Sequence, residues 1–410
     1  MSIFSALFGK TANNQKNNPA TANVQKMQSS ASSQGGMTWN NMLSSGMQER
    51  AASLTVYDYD GNPLQLTEAD QKNSGGEGII YGIVGKPGFL IKIYKDDIQN
   101  KSEKIRDIRK RILDMVRMQQ CSSMKFLAWP CMPVFNRQKD IIGFVMRKVE
   151  GHSFLSLRGC KSVQRFFPSW DRSDLARVAL DYIKKLRELT KHNVLVNDFN
   201  PSNFLIDKKG NVSFIDCDSF QIPSSNGGVH ITKTFFPSHC SPELIRNNQL
   251  LNKPRTIHQV EFSAALTVFN ILMLGLHPYN YYDPHRRSAC GTPDENLKQG
   301  RCPLGIGSDC RLPEGNWYNL WSYLTGTLKG GLIMTFKDGH SDPGKRISLD
   351  DLEKELEKLL YEMSRFPDRC DLDPNHPKPK LNWDPDGNPG KKNSSTQPFT
   401  QKRLQRKHFW

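Results

Sequence analysis

Strand-like and helix-like patterning are segregated along this chain, and that segregation restricts the fold more than any other feature. Between residues 54 and 149, short runs rich in β-branched and aromatic residues dominate. They are "LTVYDYDGNPLQL", in which Asp60-Gly61 forms a hairpin turn, then "GIIYGIV", "FLIKIY" and "IIGFVMRKV". One amphipathic helix interrupts them, with Ile105, Ile108, Ile112, Met115 and Val116 on one stripe. After "EGH" the apolar residues recur every three or four positions, as in Leu175, Val178, Ala179, Tyr182, Ile183, Leu186 and Leu189. The stretch "IHQVEFSAALTVFNILMLG" is apolar nearly all round, the pattern of a helix buried at the centre of a domain. Strands first and helices later predict an α+β architecture, a small β-rich lobe followed by a larger helical one.

Composition sets the outer limits. A chain of 410 residues with 37% hydrophobic residues can bury a sizeable core. It has no apolar run near the roughly 18–20 residues of a membrane span, and its start lacks the pattern of a signal peptide. The nine cysteines include no C-x-x-C pair, so a disulfide framework is not expected and a reducing, cytoplasmic setting is. Residues 11–50 are rich in Asn, Gln, Ser and Ala and read as disordered, ahead of which Ile3, Phe4, Leu7 and Phe8 share one helical face. The boundaries that follow are a disordered segment at 1–50, a strand-rich lobe at 51–149, a helical lobe at 150–365 and a basic, disordered tail at 366–410. The net charge of +15 is concentrated in that tail (Lys391, Lys392, Lys402, Arg403, Arg406, Lys407) and on "KSEKIRDIRKRILDMVR". A solvated tail is the first expectation, with contact to nucleic acid or an acidic partner as the alternative.

The densest chemistry lies in "VNDFNPSNFLIDKKGNVSFIDCDSF", residues 196–220. Two short strands, "NFLID" and "NVSFID", are joined by a turn with Gly210 at its tip. This hairpin brings Asp198 and Asn203 at its entry to the same edge as Asp216 at its exit. Two oxygen donors and a further carboxylate suit a hard cation with one carboxylate left over. Asp and Asn also populate ordinary turns, so the run gains its force from its companions. Upstream, Gly76 and Gly78 in "NSGGEGIIYG" allow close approach of backbone amides to an anion. Lys92 follows amid apolar neighbours in "LIKIY", where a buried charge needs an anionic partner. Downstream comes "SPEL" at 241–244.

In that order these elements resemble the motif set of protein kinases. The segments "GGEGIIY", "GFVMRKVEG", "NDFNPSNFLID" and "FIDCDSFQI" are similar to bacterial kinases of the tellurite-resistance-associated phosphorylation triad. The resemblance runs from about residue 54 to about 376. It implies a bilobal protein-kinase-like fold, an antiparallel-sheet N-lobe on a helical C-lobe. It also implies ATP with Mg²⁺ or Mn²⁺, a Ser/Thr hydroxyl of a protein as acceptor, and as partners a von Willebrand A domain protein and a metal-dependent phosphatase. By resemblance Gly76, Glu77 and Gly78 shape a lid over the nucleotide and Lys92 holds its α- and β-phosphates. Met146 would be the gatekeeper, with Arg147 to Val149 the hinge. Asp198 would take the acceptor proton and Asn203 and Asp216 would hold the metal. Glu243 would pair with Arg346 beneath the substrate loop.

The chain departs from the pattern at several positions. Tyr81 replaces the third lid glycine, and Asn197 replaces the arginine that receives an activation-loop phosphate. Asn200 replaces a lysine, and Asp218 replaces the flexible glycine after the metal aspartate. Glu103 is the only glutamate on the helix expected to pair with Lys92. Thr232 and Thr234 lie where an activation-loop phosphate would sit. A nucleotide-binding pseudokinase is the alternative reading, and a small-molecule phosphotransferase a third.

Overall fold

A computed structural model describes residues 55–69, 76–280, 282–283, 288–289, 291–305, 317–367 and 370–372. The expectations for the N-terminal 50 residues, and for the basic residues of the C-terminal tail, fall outside these.

The hairpin at Asp60-Gly61 forms as β1 (Val56–Tyr57) and β2 (Pro63–Leu64). Gly61 takes a φ of +82°, and the Asp58 carboxylate accepts the Asp60 and Asn62 amides. Then come β3 (Leu66–Ala69), β4 (Gly78–Ile83) and β5 (Phe89–Tyr94). Helix α1 (Ser102–Arg117) buries the expected stripe of Ile105, Ile108, Ile112 and Met115. Strands β6 (Pro130–Phe135) and β7 (Ile141–Arg147) complete a seven-stranded antiparallel sheet in the order β2-β1-β6-β7-β5-β4-β3. β5 lies inside it, with Lys92 opposite Ile80 on β4 and Phe144 on β7. Strand pairing therefore puts Lys92, Ile80 and Leu90 on one face, with Met146 opposite Leu90.

The second half is helical. Helix α2 (Arg172–Lys191) starts at a capping box, in which the Asp171 carboxylate accepts the Ser173 amide and Asp174 accepts from the Asp171 amide. Strands β8 (His152–Ser153), β9 (Phe204–Ile206) and β10 (Val212–Phe214) form a three-stranded sheet beside it. Helix α3 (Ile257–Leu272) is buried from Gln259 to Leu272, as its all-round apolarity requires. Helices α4 (Gly326–Phe336) and α5 (Leu349–Arg365) pack around α2 and α3. The aromatic rings of Phe154, Tyr182, Phe204 and Phe214 meet at centroid distances of 5.1–5.8 Å beneath the hairpin. The packing continues past the expected boundary at 365, since Cys370 and Leu372 are buried and the Cys370 carbonyl accepts the Arg172 amide at 2.8 Å.

A candidate nucleotide and metal site

Hairpin β9–β10 closes through its loop. The Asp207 carboxylate accepts the amides of Lys209 and Asn211, and Gly210 takes a φ of +85° at the tip. Its two ends come together because the Ile215 amide donates to the Asn203 carbonyl at 2.9 Å. Asn203 thereby lies beside the residue that precedes Asp216. At the entry, Asn203 Nδ2 donates to Asp198 Oδ2 at 3.2 Å, and the Asn200 amide donates to Asp198 Oδ1 at 3.3 Å. Both Asp198 oxygens are therefore fixed. Burial raises the Asp198 carboxyl above its ordinary range, and these two bonds offset only part of that.

On β5, Lys92 is 6% exposed. Its ammonium donates to Asp216 Oδ1 at 2.5 Å and to both oxygens of Asp218 at 2.8 and 2.9 Å. Burial alone would lower the lysine's affinity for its proton, but the charges of Asp218 and Asp216 outweigh it and hold the ammonium above its ordinary value. The two carboxylates are not equivalent. Asp218 is 6% exposed at its side chain and Asp216 39%. For Asp216, burial raises the carboxyl, Lys92 opposes and Asp218 adds, with a net rise. Burial would also raise Asp218, but Lys92 and the Tyr94 hydroxyl, 2.7 Å away, hold it below its ordinary range.

The other sequence candidates fall around this pair. Gly78 is not in a loop but opens β4 over the lysine stem, where a Cβ would come within 2.9 Å of the Ile93 carbonyl and 3.1 Å of Lys92 Cγ. Gly76 is exposed just before it. Glu77 is turned aside, its carboxylate 2.6 Å from Lys104 Nζ on α1. Met146 is buried in the N-terminal apolar cluster, against which Ile80, Leu90, Val149 and Ile215 pack. The Lys148 amide donates to the Gly88 carbonyl, which fixes the segment from Arg147 to Val149 after β7. A cleft of about 530 Å³ is lined by Ile80, Gly82, Leu90, Lys148 and Val149 among others. Arg346 holds Glu243 through two bonds of 2.9 and 2.8 Å, so that expected pair forms.

Glu103 does not reach Lys92. It is exposed in the first turn of α1, whose buried stripe is aliphatic. In the sequence Asp218 stands as the loss of a glycine, whereas its carboxylate is a partner of the lysine. The clue was the apolar surroundings of Lys92, which call for more negative charge than one half-exposed carboxylate brings. Thr232 is also placed otherwise than expected. It is buried, its hydroxyl donates to the Ser219 carbonyl at 2.6 Å, and it accepts from Asn197 Nδ2. Nearby, a small hairpin of β11 (Ile222–Pro223) and β12 (Val229–His230) is fastened to α1 through Asp114, which bonds His230 Nε2 at 2.8 Å and the Ser225 amide at 3.0 Å.

These groups form a buried cation beside carboxylates, with a fixed Asp–Asn pair at the other end of the same hairpin and, on the sheet that carries the cation, a cleft lined in part by Ile80, Leu90 and Val149. Such a set can bind an anionic ligand with an apolar ring, together with a hard cation. No family model matches the chain. Two curated proteins, both "Protein kinase YegI", are similar to it. The one from Escherichia coli O157:H7 is 27% identical over 219 residues, 52% of this chain and 32% of that protein. The one from Escherichia coli strain K12 is 28% identical over 210 residues, 50% of this chain and 31% of that protein. The chain thus matches about a third of the length of these relatives. Among solved structures, "ROP18 kinase domain in complex with AMP-PNP and sucrose" superposes with a TM-score of 0.51 at 14% identity, covering 80% of this chain and 92% of that one. The strand order, the two-lobed arrangement and this superposition together identify the fold as the α+β fold of protein kinase domains.

Proposed function

We propose that the chain transfers the γ-phosphoryl group of ATP to a Ser or Thr hydroxyl of a protein. The observation that carries this reading is the convergence of a buried Lys92 and Asp216 with the fixed Asp198–Asn203 pair. In the proposed reaction the acceptor oxygen forms a bond to the γ-phosphorus as the bond from that phosphorus to the β-bridging oxygen breaks. The hydroxyl proton passes to Asp198, and ADP leaves. Burial, by raising the Asp198 carboxyl, makes it a better base for that proton. Lys92 would hold phosphate oxygens in place of Asp216, and the layer of Ile80, Leu90, Met146 and Val149 would take the adenine ring. Carboxylate and amide oxygens are the donors a hard divalent ion prefers, and Asn203 spends its amide nitrogen on Asp198, which leaves its oxygen to coordinate. Mg²⁺ or Mn²⁺ held by Asn203 and Asp216 would supply neutralisation of phosphate charge.

The proposal extends to a bacterial cytoplasmic setting, with a von Willebrand A domain protein and a metal-dependent phosphatase as partners. A second reading, a nucleotide-gated pseudokinase, is favoured by one observation: Lys92 is occupied by two carboxylates at once. Labelled ATP with Mg²⁺ or Mn²⁺, given to the purified protein alone and with those partners, tests the pair of readings. Label on protein Ser or Thr supports transfer. ATP binding with no label on any protein supports the second reading, and no binding at all overturns both.

A further inference from the structure

We infer that Asp218 is the residue that positions Lys92 for its nucleotide, the duty that the kinase resemblance gives to a helix glutamate. The inference rests on the nucleotide-binding part of the function proposed above and deepens it.

The geometry separates the two carboxylates on the lysine. Asp218 meets Nζ with both oxygens, is sealed from solvent, and takes a third bond from Tyr94, two residues after Lys92 on the same strand. Its main-chain carbonyl accepts Arg111 Nη1 from α1 at 2.7 Å. Moving Asp218 away would leave a buried phenol without its anion and a buried ammonium with only the part-exposed Asp216 as counter-charge, a costly state. Asp216 touches Nζ with one oxygen and keeps its side chain 39% exposed. It is the carboxylate that can exchange the lysine for other ligands while Asp218 keeps the ammonium in place.

Helix α1 offers no substitute. Its acids are Glu103, Asp107 and Asp114. The first two are exposed, and Asp114 is engaged by His230 and Ser225. The helix side toward the sheet is aliphatic, with Ile105, Ile108 and Ile112 in one cluster with Tyr94 and Phe144. What α1 contributes to the site is a donor, Arg111, and it goes to the backbone of Asp218 rather than to the lysine. Lysine partner and candidate metal ligand are thus two residues apart, on one turn that Asp216 enters with a φ of 56°. A rotation of α1 would strain the hold on Asp218 without removing the counter-ion of Lys92.

The test uses the full chain with Asp218→Asn, Tyr94→Phe, Glu103→Gln and Lys92→Met, and Asp218→Asn combined with Lys92→Met. Equilibrium binding of MgATP and the rate of transfer are both measured, with melting temperature read in the absence of nucleotide. Asp218→Asn should weaken nucleotide binding or lower the transfer rate by about ten- to hundredfold, the range for losing a charge-assisted bond. Tyr94→Phe should cause a smaller loss in the same parameter, and Glu103→Gln should stay within about twofold of the parent. The double variant should be no worse than Lys92→Met alone, and should melt higher than Asp218→Asn alone, because removing both charges spares a buried ammonium left with Asp216 as its one carboxylate. A merely structural role for Asp218 predicts additive losses instead, and that result would overturn the inference. So would a loss in Glu103→Gln as large as that in Tyr94→Phe, a comparison that holds even if Asp218→Asn fails to fold. Should the parent bind MgATP without transferring phosphate, the transfer reading fails while the binding and melting comparisons still decide the role of Asp218.

Discussion

Glu243→Gln isolates one buried ion pair and its cost. The side chain of Arg346 is fully buried, while that of Glu243 is 26% exposed. Arg346 places Nη1 and Nη2 on the two Glu243 oxygens, and bonds the carbonyls of His258 and Gly339 through Nη1 and Nε. Burial would raise the Glu243 carboxyl, and Arg346 more than offsets it, so the pair is ionised near neutrality. Glutamine keeps the size and one acceptor but leaves the guanidinium without a counter-charge. Removing one partner of a buried pair costs about 3–5 kcal/mol, and the two retained carbonyl bonds put this case near ~3 kcal/mol. At ~2.1 cal/mol/K per residue over roughly 300 folded residues, that is a fall in Tm of about 4–5 °C. Urea unfolding at pH 7 and a thermal melt measure it. The companion variant Arg346→Met with Glu243→Leu should be less destabilised than the sum of its single changes. A Glu243→Gln protein within about 0.5 kcal/mol of the parent would refute the reasoning, since the pair would then contribute no more than an exposed one.

His277 gives a pH dependence. Burial pushes its imidazole down to about 4, and the neutral ring donates from Nε2 to the Ser238 carbonyl while Nδ1 accepts the Tyr279 amide. The unfolded chain takes the proton first, so the contribution is present above about pH 6.5 and is lost as pH falls toward 4, on the order of 2–3 kcal/mol by pH 4.5. His277→Gln should flatten that slope in unfolding titrations between pH 7 and 4.5, and an unchanged slope would assign the acid sensitivity elsewhere. Asp216→Asn should abolish the rise in Tm that MgATP gives the parent, because an amide is a poor substitute for a carboxylate at a divalent ion; an equal rise would remove Asp216 from the metal site. Asp198→Asn should retain ATP affinity while transfer falls by about a hundred- to ten-thousandfold, and equal transfer would exclude Asp198 as the base. Thr232→Val should cost about 1–3 kcal/mol in urea unfolding by stranding the Ser219 carbonyl and the Asn197 amide, whereas a neutral result would show that water replaces the hydroxyl.

The elements that periodicity made legible are those with long, regular patterns. Helices α1, α2 and α3 lie where the apolar stripes put them, and β5 spans the run "FLIKIY". Strand β6 went unread because Pro130 and Pro133 interrupt it, although Pro133 pairs opposite Phe144 with a register shift nearby. Within the candidate site, order and spacing single out Lys92, Asp198, Asn203 and Asp216 because each belongs to a local motif. The partner of Lys92 was harder to find. Sequence gives the distance from Lys92 to Asp218 only as 126 positions, and closing that gap takes the packing of the sheet on the hairpin. Burial of Thr232 was equally hidden, since a threonine in a loop carries no mark of the carbonyl it will meet.

The ties on the segment after Asp216 have a thermodynamic consequence. Asp114 grips the β11–β12 hairpin, and Thr232 is stitched to Ser219 and Asn197 by neutral groups already present in the chain. Fixing the backbone of one residue costs roughly 1–2 kcal/mol in conformational entropy. Where a segment becomes ordered only on phosphorylation or on meeting a ligand, that cost is subtracted from the affinity of the event. Here it is met during folding, so that even five pre-ordered residues spare a later binding event on the order of 5–10 kcal/mol.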